Sequence, residues 1–381
     1  MNAPAATIPR PSTRGFGPGV VVCVCALALI LMGLVVLSSA GQEASHDAFF
    51  IFRRQLTWFG IGLLVTVGMA TVNLDRLRRY TWVMGAIAVV LLALVLVPHL
   101  GLAVKGARRW FNLGFMRAQP SDFGKLALVF CLAHYLGNHQ RQVQSFWRGF
   151  VAPMAIIAIF AGLIIREPDF GTAALCGMVG CTLLFLAGVR LLFLFPSMLA
   201  GAGLFTVMVI YDPVRMKRIL SFMDMDANKS DGSYQLWQAL VGFGVGGLHG
   251  VGLGQGLQQR YFLPEAHTDF VLAIVGEELG LLATAGIAVT FLIIFFVAFR
   301  ALRRAPNLYE FTLAAGSLLL LIGQAVINMG VVTGLLPTKG MSLPFISYGG
   351  SNLLLMCALV GLLVNCFRRW DRPVLRTPRE L

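Results

Sequence analysis

The segment RYFLPEAHTDFVLAIVGEELG, Arg260 to Gly280, holds Glu265, His267, Asp269, Glu277 and Glu278 in a chain with only 17 acidic residues among 381. A positioned carboxylate can serve as a general base, and histidine can move protons near neutral pH. Pro264 stops any helix before it, Thr268 is a candidate N-cap, and Asp269 then falls in the first turn of a helix leaving a long loop. An acid in a first turn also favours the helix dipole, so a cap and a base are both open readings of Asp269. Counting 100° and 1.5 Å per residue puts Glu277 about 80° from Asp269 and roughly 12 Å deeper, with Glu278 on the opposite face. The three acids therefore cannot form one metal cluster on one helix.

Other charges stand out because their surroundings are apolar. Lys125 lies about one turn into an apolar run, and Asp169 in REPDFGT starts another. Ionisable groups at such depth are costly and mark functional sites, unless they form internal ion pairs such as Lys125 with Asp169 or Glu278. A base has to be anionic near pH 7. Lys125, Asp169 and one of Glu277 or Glu278, facing one cavity, would tune Asp269 for that state. The segment LAVKGARRWFNLGFMRAQPSDFGK sets Lys105, Arg108, Arg109 and Arg117 beside aromatic residues. An anionic ligand such as a diphosphate suits the planar fork of Arg and the point charge of Lys. Attraction to anionic headgroups, worth about 1 kcal/mol per basic residue, explains the same cations.

The elements that must carry these groups follow from composition. The chain is 57% hydrophobic and 12% charged, with a mean hydropathy of +0.79. An ordinary soluble domain is about a quarter charged, so this is an integral membrane protein. Apolar runs of roughly 17 to 25 residues cross a bilayer. Ten are expected, near residues 18–40, 55–74, 80–98, 120–137, 149–165, 171–189, 191–211, 268–299, 309–333 and 348–367. The fold class is thus all-α, about ten transmembrane helices with one long extracytoplasmic loop, about 212–267, between helices 7 and 8. A polar tail at 1–17 and a basic tail at 369–381 flank a single membrane domain over 18–368. The first apolar run is too long for the core of a secretory signal. All seven cysteines lie in or at the ends of the runs without zinc spacing, and they read as packing residues.

Loop charges set the orientation. With both termini cytoplasmic, that side receives Arg76, Arg78, Arg79, Arg141, Arg148, Arg190, Arg300, Arg303, Arg304 and the RRWDRP tail. The outer side keeps Arg53, Arg54, Lys105, Arg108, Arg109, Arg117, Arg166 and Lys339 against the topology rule. Something other than insertion retains them. The net charge of +13 suits anionic lipid, and nothing resembles a nucleic-acid module.

The stretches GARRW, AQPSDFGKLAL, PDFGT, RMKRILSFMDMDANKSDGSYQLWQAL, GVGLGQGLQQRYFLPEAHTDFVLAIVGEELGL and QAVINMGVVTGLLPTKGMSLPFISYGGSN together resemble the SEDS family (shape, elongation, division and sporulation). The alanine in PEAH and the form of PTKGMSLPFISYGG are more similar to its division branch than to its elongation branch. Glu167 stands where the family usually has Gln, Asp122 where Glu is usual, and Asn352 where a second Ser is common. The resemblance implies a peptidoglycan glycosyltransferase of the bacterial cytoplasmic membrane, at the division septum, polymerising lipid II on the outer face.

The family's catalytic aspartate maps onto Asp269. Candidate substrate-binding residues are Arg108, Arg109, Lys339, Glu265, His267 and Ser347, with Lys125, Asp169, Glu277 and Glu278 as supporting charges. A divalent cation, Mg2+ or Mn2+, is the candidate cofactor. Expected partners are lipid II, membrane lipids, and a class B penicillin-binding protein with other division proteins, because the chain has no SxxK transpeptidase site. A lipid II flippase and a non-enzymatic scaffold are the competing readings.

Overall fold

The computed structural model describes residues 17–40, 50–104, 107–112, 114, 117–224, 233–258, 262–264 and 266–371. Lys105, Glu265 and most of the two tails fall outside the described residues. In chain order the helices are α1 Pro18–Ala40, α2 Phe50–Thr71, the short α3 Leu74–Arg79, α4 Thr81–Leu94, α5 Pro120–Asn138, α6 Ala152–Arg166, α7 Phe170–Leu186, α8 Leu191–Ile210, α9 Pro213–Met223, α10 Tyr234–Gly246, α11 Val271–Leu302, α12 Leu308–Val332 and α13 Gly350–Trp370. A π-helical turn at Phe146–Val151 leads into α6.

Each of the ten expected spans falls on one of these helices. Among the described residues, α1, α6 with its π turn, α8, α11, α12 and α13 are long and apolar enough to cross a membrane, while α4 and α7 are apolar but shorter. The protein is a multi-pass helical membrane protein. Helices α5 and α12 pack against each other at the centre, α2 lies on α13, and α1 lies against α11 and α13. Most of α5 is buried. The outlying α8 touches α7 and α9 and exposes Leu191, Leu192, Phe195 and Leu199. Such a face suits lipid, where burial against protein gains little over burial against acyl chains.

Two expectations are corrected. The fold is not purely helical, because the cationic segment before α5 forms a three-stranded antiparallel sheet, β1 Leu102–Val104, β2 Ala107–Asn112 and β3 Arg117–Ala118. Backbone outside the helices has to pair its N–H and C=O groups, and two short hairpins achieve that. The register runs Leu102 to Trp110 and then Ala103 to Arg108, so Arg109 is the extra residue of a bulge. The expected long loop, about 212–267, also carries two helices that the sequence reading did not place, α9 and α10. Asp212 caps α9 by accepting the Val214 and Arg215 N–H groups, and α10 packs closely on α11.

The path of α11 is broken at Gly280, whose φ of 78° and ψ of −173° lie outside the helical region. A break in a helix orphans backbone groups, which must find partners elsewhere. Segment 247–252 supplies them: Val251 and Gly252 donate to the Glu277 and Glu278 carbonyls at 2.9 and 3.0 Å, and Leu281 donates to Gly247 O at 2.9 Å. A Cβ at Gly280 would collide with the Gly250 nitrogen, so both the positive φ and the close approach require glycine. Residues 281–302 suffice for a span. Glu277 and Glu278 belong to the short helix before the break, which corrects their expected place deep inside a continuous span.

Candidate functional site

Asp269 lies two residues before the start of the helix whose first turn it was expected to occupy. Helix α11 starts at Val271, with Phe270 at the cap position and no side-chain capping bond. The cap reading of Thr268 and Asp269 is therefore overturned. The buried, bulky Phe270 and Val271 turn into the core at this point, and the chain bends before them rather than continuing the helix. Contacts to Tyr348 and Asn328 help to hold the bend. The His267 carbonyl accepts the Tyr348 N–H at 2.9 Å, the two rings meet edge to face at 6.3 Å, and the Asp269 carbonyl accepts from Asn328 Nδ2 at 2.8 Å.

The Asp269 carboxylate sits over Gly340, where a Cβ would lie 2.5 Å from Oδ2. The next residue back is Lys339. Its ammonium pairs with Asp169 Oδ1 at 2.7 Å, and its side chain crosses Gly171 so closely that a Cβ there would overlap Cε. Asp169 also caps α7, accepting the Thr172 N–H at 3.3 Å and the Thr172 hydroxyl at 2.9 Å. The bulge residue Arg109 completes the group, donating from Nε to Glu167 O at 2.9 Å and from Nη2 to Pro168 O at 2.6 Å. Arg109 thereby fastens the sheet to the turn between α6 and α7. Arg108 is exposed beside it.

The supporting charges are arranged differently from expectation. Lys125 pairs with Asp122 Oδ1 at 2.8 Å and donates to Gln324 Oε1 at 3.1 Å; its expected partners, Asp169 and Glu278, are paired elsewhere. Glu277 accepts the Leu257 and Gln258 N–H groups at 2.8 and 3.1 Å. Glu278 accepts from Ser39 Oγ at 2.7 Å and from the Gly254 and Gly256 N–H groups. These two acids tie down segment 251–258, so they do not tune Asp269 together with Lys125. The physical reason is local: a loop folded into a break carries many buried N–H donors, and carboxylates satisfy them strongly. Ser347 closes its own turn, its buried hydroxyl accepting the Leu343 N–H at 2.8 Å.

A polar chain missed by sequence reasoning links Asp169 to Lys125. Gln119 Nε2 donates to Asp169 Oδ2 at 3.3 Å, the Gln119 N–H reaches Ser351 Oγ at 3.3 Å, and Ser351 donates to Asp122 Oδ2 at 2.7 Å. Beyond Lys125, Gln324 Nε2 donates to Ser342 O and to Asn352 Oδ1, each at 2.8 Å. The signal for α12 was present in IGQAVINMG, two buried amides one turn apart in an apolar span.

Burial would raise the Asp169 carboxyl, but the charges of Lys339 and Arg109 and the bonds from Lys339 and Thr172 hold it below the ordinary range. Glu167 is fully buried, and among the described residues neither oxygen has a hydrogen-bond partner. Burial and the Asp169 charge push it up to about 8, against the pull of Arg109. Glu167 is thus mostly protonated at pH 7, so Lys339 and Arg109 there face the Asp169 carboxylate, with the Asp269 carboxylate beside Lys339 over Gly340.

A prediction arises from that carboxyl. The folded state binds a proton that the unfolded state has lost between about pH 4.5 and 8, so stability from this group is fully present below 4.5 and falls as pH rises through 8. Glu167→Gln is expected to flatten this decline, gaining a few kcal/mol above pH 8 at about 1.4 kcal/mol per pKa unit, while neutral-pH activity is unchanged. Thermal denaturation of both proteins across that range checks it; parallel curves would refute it.

Comparison with known proteins supplies the context. Residues 20–370 match the family model of the FtsW/RodA/SpoVE cell cycle proteins. The chain is 39% identical over 363 residues to the probable peptidoglycan glycosyltransferase FtsW of Coxiella burnetii, covering 93% of this chain and 98% of that one. It is 36% identical to the stage V sporulation protein E of Bacillus subtilis, covering 94% and 99%. Two solved structures are similar at 26% identity. One is a chain of a peptidoglycan synthase complex that coordinates polymerization and crosslinking, with a TM-score of 0.74 over 92% of this chain and 98% of that one. The other is the rod shape determining protein RodA of Thermus thermophilus, with a TM-score of 0.70 over 95% and 100%.

Proposed function

The chain belongs to the FtsW/RodA/SpoVE family and is a peptidoglycan glycosyltransferase, and from that premise we propose that it polymerises lipid II at the outer face of the cytoplasmic membrane in septal wall synthesis, with Asp269 as the general base. One observation carries the mechanism: the Asp269 carboxylate lies over Gly340, the residue next to Lys339, whose ammonium is held by Asp169 in a patch joined by Arg109. A single carboxylate beside fixed cations suits transfer from a diphosphate-linked donor. Asp269 takes the proton from the acceptor sugar 4-hydroxyl, which needs an approach of about 3 Å. The acceptor oxygen then bonds to the donor anomeric carbon as the bond from that carbon to the lipid diphosphate breaks. The diphosphate leaves as an anion that Lys339, Arg108 and Arg109 stabilise. No second, protonated carboxyl is needed, in contrast to glycoside hydrolysis. In-line attack on an α-linked donor gives a β-linked product with inversion.

His267 and Glu265, which flank Asp269 in sequence, are proposed to contact the sugars. A divalent cation, Mg2+ or Mn2+, would arrive with the diphosphate oxygens, in the usual manner of Mg2+; among the described residues no three His, Cys, Asp or Glu side chains group to hold a metal ion. Ten crossings with both termini cytoplasmic bring the sheet, α9, α10 and Asp269 to the outer side, and the arginine-rich inner loops support that orientation. A class B penicillin-binding protein is the proposed crosslinking partner, a reading supported by the similarity to a chain of a synthase complex.

The test is purified protein with lipid II, with and without such a partner. Glycan strands support the polymerase; translocation of lipid II across vesicles without polymer would replace it with a flippase. Neither activity in either condition would leave a scaffold.

A further inference from the structure

We propose that Asn328 is the positioning residue for Asp269, clamping the bend before α11 to the 339–343 segment so that the carboxylate stays over Gly340. This inference rests on the general-base reading of Asp269. The geometry is a two-way clasp. Asn328 Nδ2 donates to Asp269 O at 2.8 Å and to Met341 O at 2.5 Å, so one amide group holds both strands of backbone that meet at the site. Gln324, one turn earlier on the same face of α12, holds the adjacent carbonyl of Ser342 at 2.8 Å. Segment 339–343 has no helix or strand of its own, and these two amides attach it to the buried α12.

Stability alone does not account for Asn328. It is fully buried, and among the described residues its Oδ1 has no hydrogen-bond partner. A buried acceptor left unpaired costs about 1–3 kcal/mol. An amide kept at such a cost, with both of its bonds directed at the backbone of the base and of the loop beneath it, acts on position. The bend needs such a device because no helix begins at Asp269: Ala273 N–H donates to Phe270 O, so the helical ladder starts after it.

Loss of the clasp misplaces the base without removing a charge that holds the donor. A displacement of about 1 Å can cost 10²-fold in rate. Asn328→Leu, of similar volume, is therefore expected to lower kcat for lipid II polymerisation by about 10²-fold with KM changed little. Asn328→Ala, which removes both donors, should show the same split, and Asn328→Ser, which keeps one hydroxyl donor, should recover part of kcat. The second and third variants keep the test valid where Asn328→Leu does not fold.

A cycle with Gly340→Ala adds a readout that general destabilisation would not produce. Both changes move the same carboxylate, so their effects on kcat should be less than additive. Unchanged kcat in the folded Asn328 variants, or a loss confined to KM, would overturn the inference. So would additive effects in the cycle. Failure of the underlying reading is separable: activity retained by Asp269→Asn sinks the general base, whereas an inactive Asp269→Asn with fully active Asn328→Ala sinks the clasp alone.

Discussion

Asp269→Asn should reduce lipid II polymerisation by about 10²–10⁴-fold, the contribution expected of a positioned general base, while folding and abundance stay unchanged. The amide matches the carboxylate in shape and fits over Gly340. It cannot take the acceptor proton at neutral pH. The structure also removes helix capping as an explanation for a loss. Had Asp269 capped α11, its replacement would have cost about 0.5 to 2 kcal/mol, but the helix starts at Val271 and its cap position is Phe270. The backbone bond from Asn328 to the Asp269 carbonyl is independent of the side chain and survives the substitution. Polymerisation within tenfold of the parent, measured with purified protein at matched stability, would remove Asp269 from the base role. Asp269→Glu should also be impaired, since an added methylene pushes the carboxylate away from its place over Gly340.

Lys339→Met should be as severe for activity and, unlike Asp269→Asn, should also destabilise the fold. Its ammonium pairs with Asp169, whose side chain is 5% exposed. Removing one partner of a buried pair costs about 3–5 kcal/mol, because the remaining charge is left uncompensated. Here Arg109 and the Thr172 hydroxyl offset part of that cost. Adding Asp169→Asn to Lys339→Met takes away the stranded charge, so thermal stability should return. Activity should not, because the cation that stabilises the leaving diphosphate is still missing. Two measurements separate the roles, a melting curve and polymerisation kinetics on the single and double variants. A double variant that is both stable and fully active would show the pair to be packing only.

The sequence by itself determined that the chain is a multi-pass membrane protein and the location of its apolar helices, and it singled out Asp269 as the candidate base. Long apolar runs dictate helices because backbone in lipid must satisfy its own hydrogen bonds, and isolated charges are conspicuous against them. Family-specific stretches such as LPEAHTDF and LPTKGMSLPFISYGG identified the chemistry, and Glu167 was visible as a departure. Which charge meets which was decided only in three dimensions. Lys125 was expected with Asp169 or Glu278, yet it meets Asp122 one turn earlier on its own helix, and Asp169 takes Lys339 from far along the chain. A charge pairs with whatever the rotation and packing of its helix bring within about 4 Å, and sequence spacing constrains that only within one helix. The roles of Glu277 and Glu278 depended on the break at Gly280, whose backbone φ no apolar pattern encodes. The start of α11 was likewise decided by packing: Phe270 and Val271 enter the core, and the clasp from Asn328 and the space over Gly340 leave Asp269 outside the helix, free of the capping role its local sequence suggested.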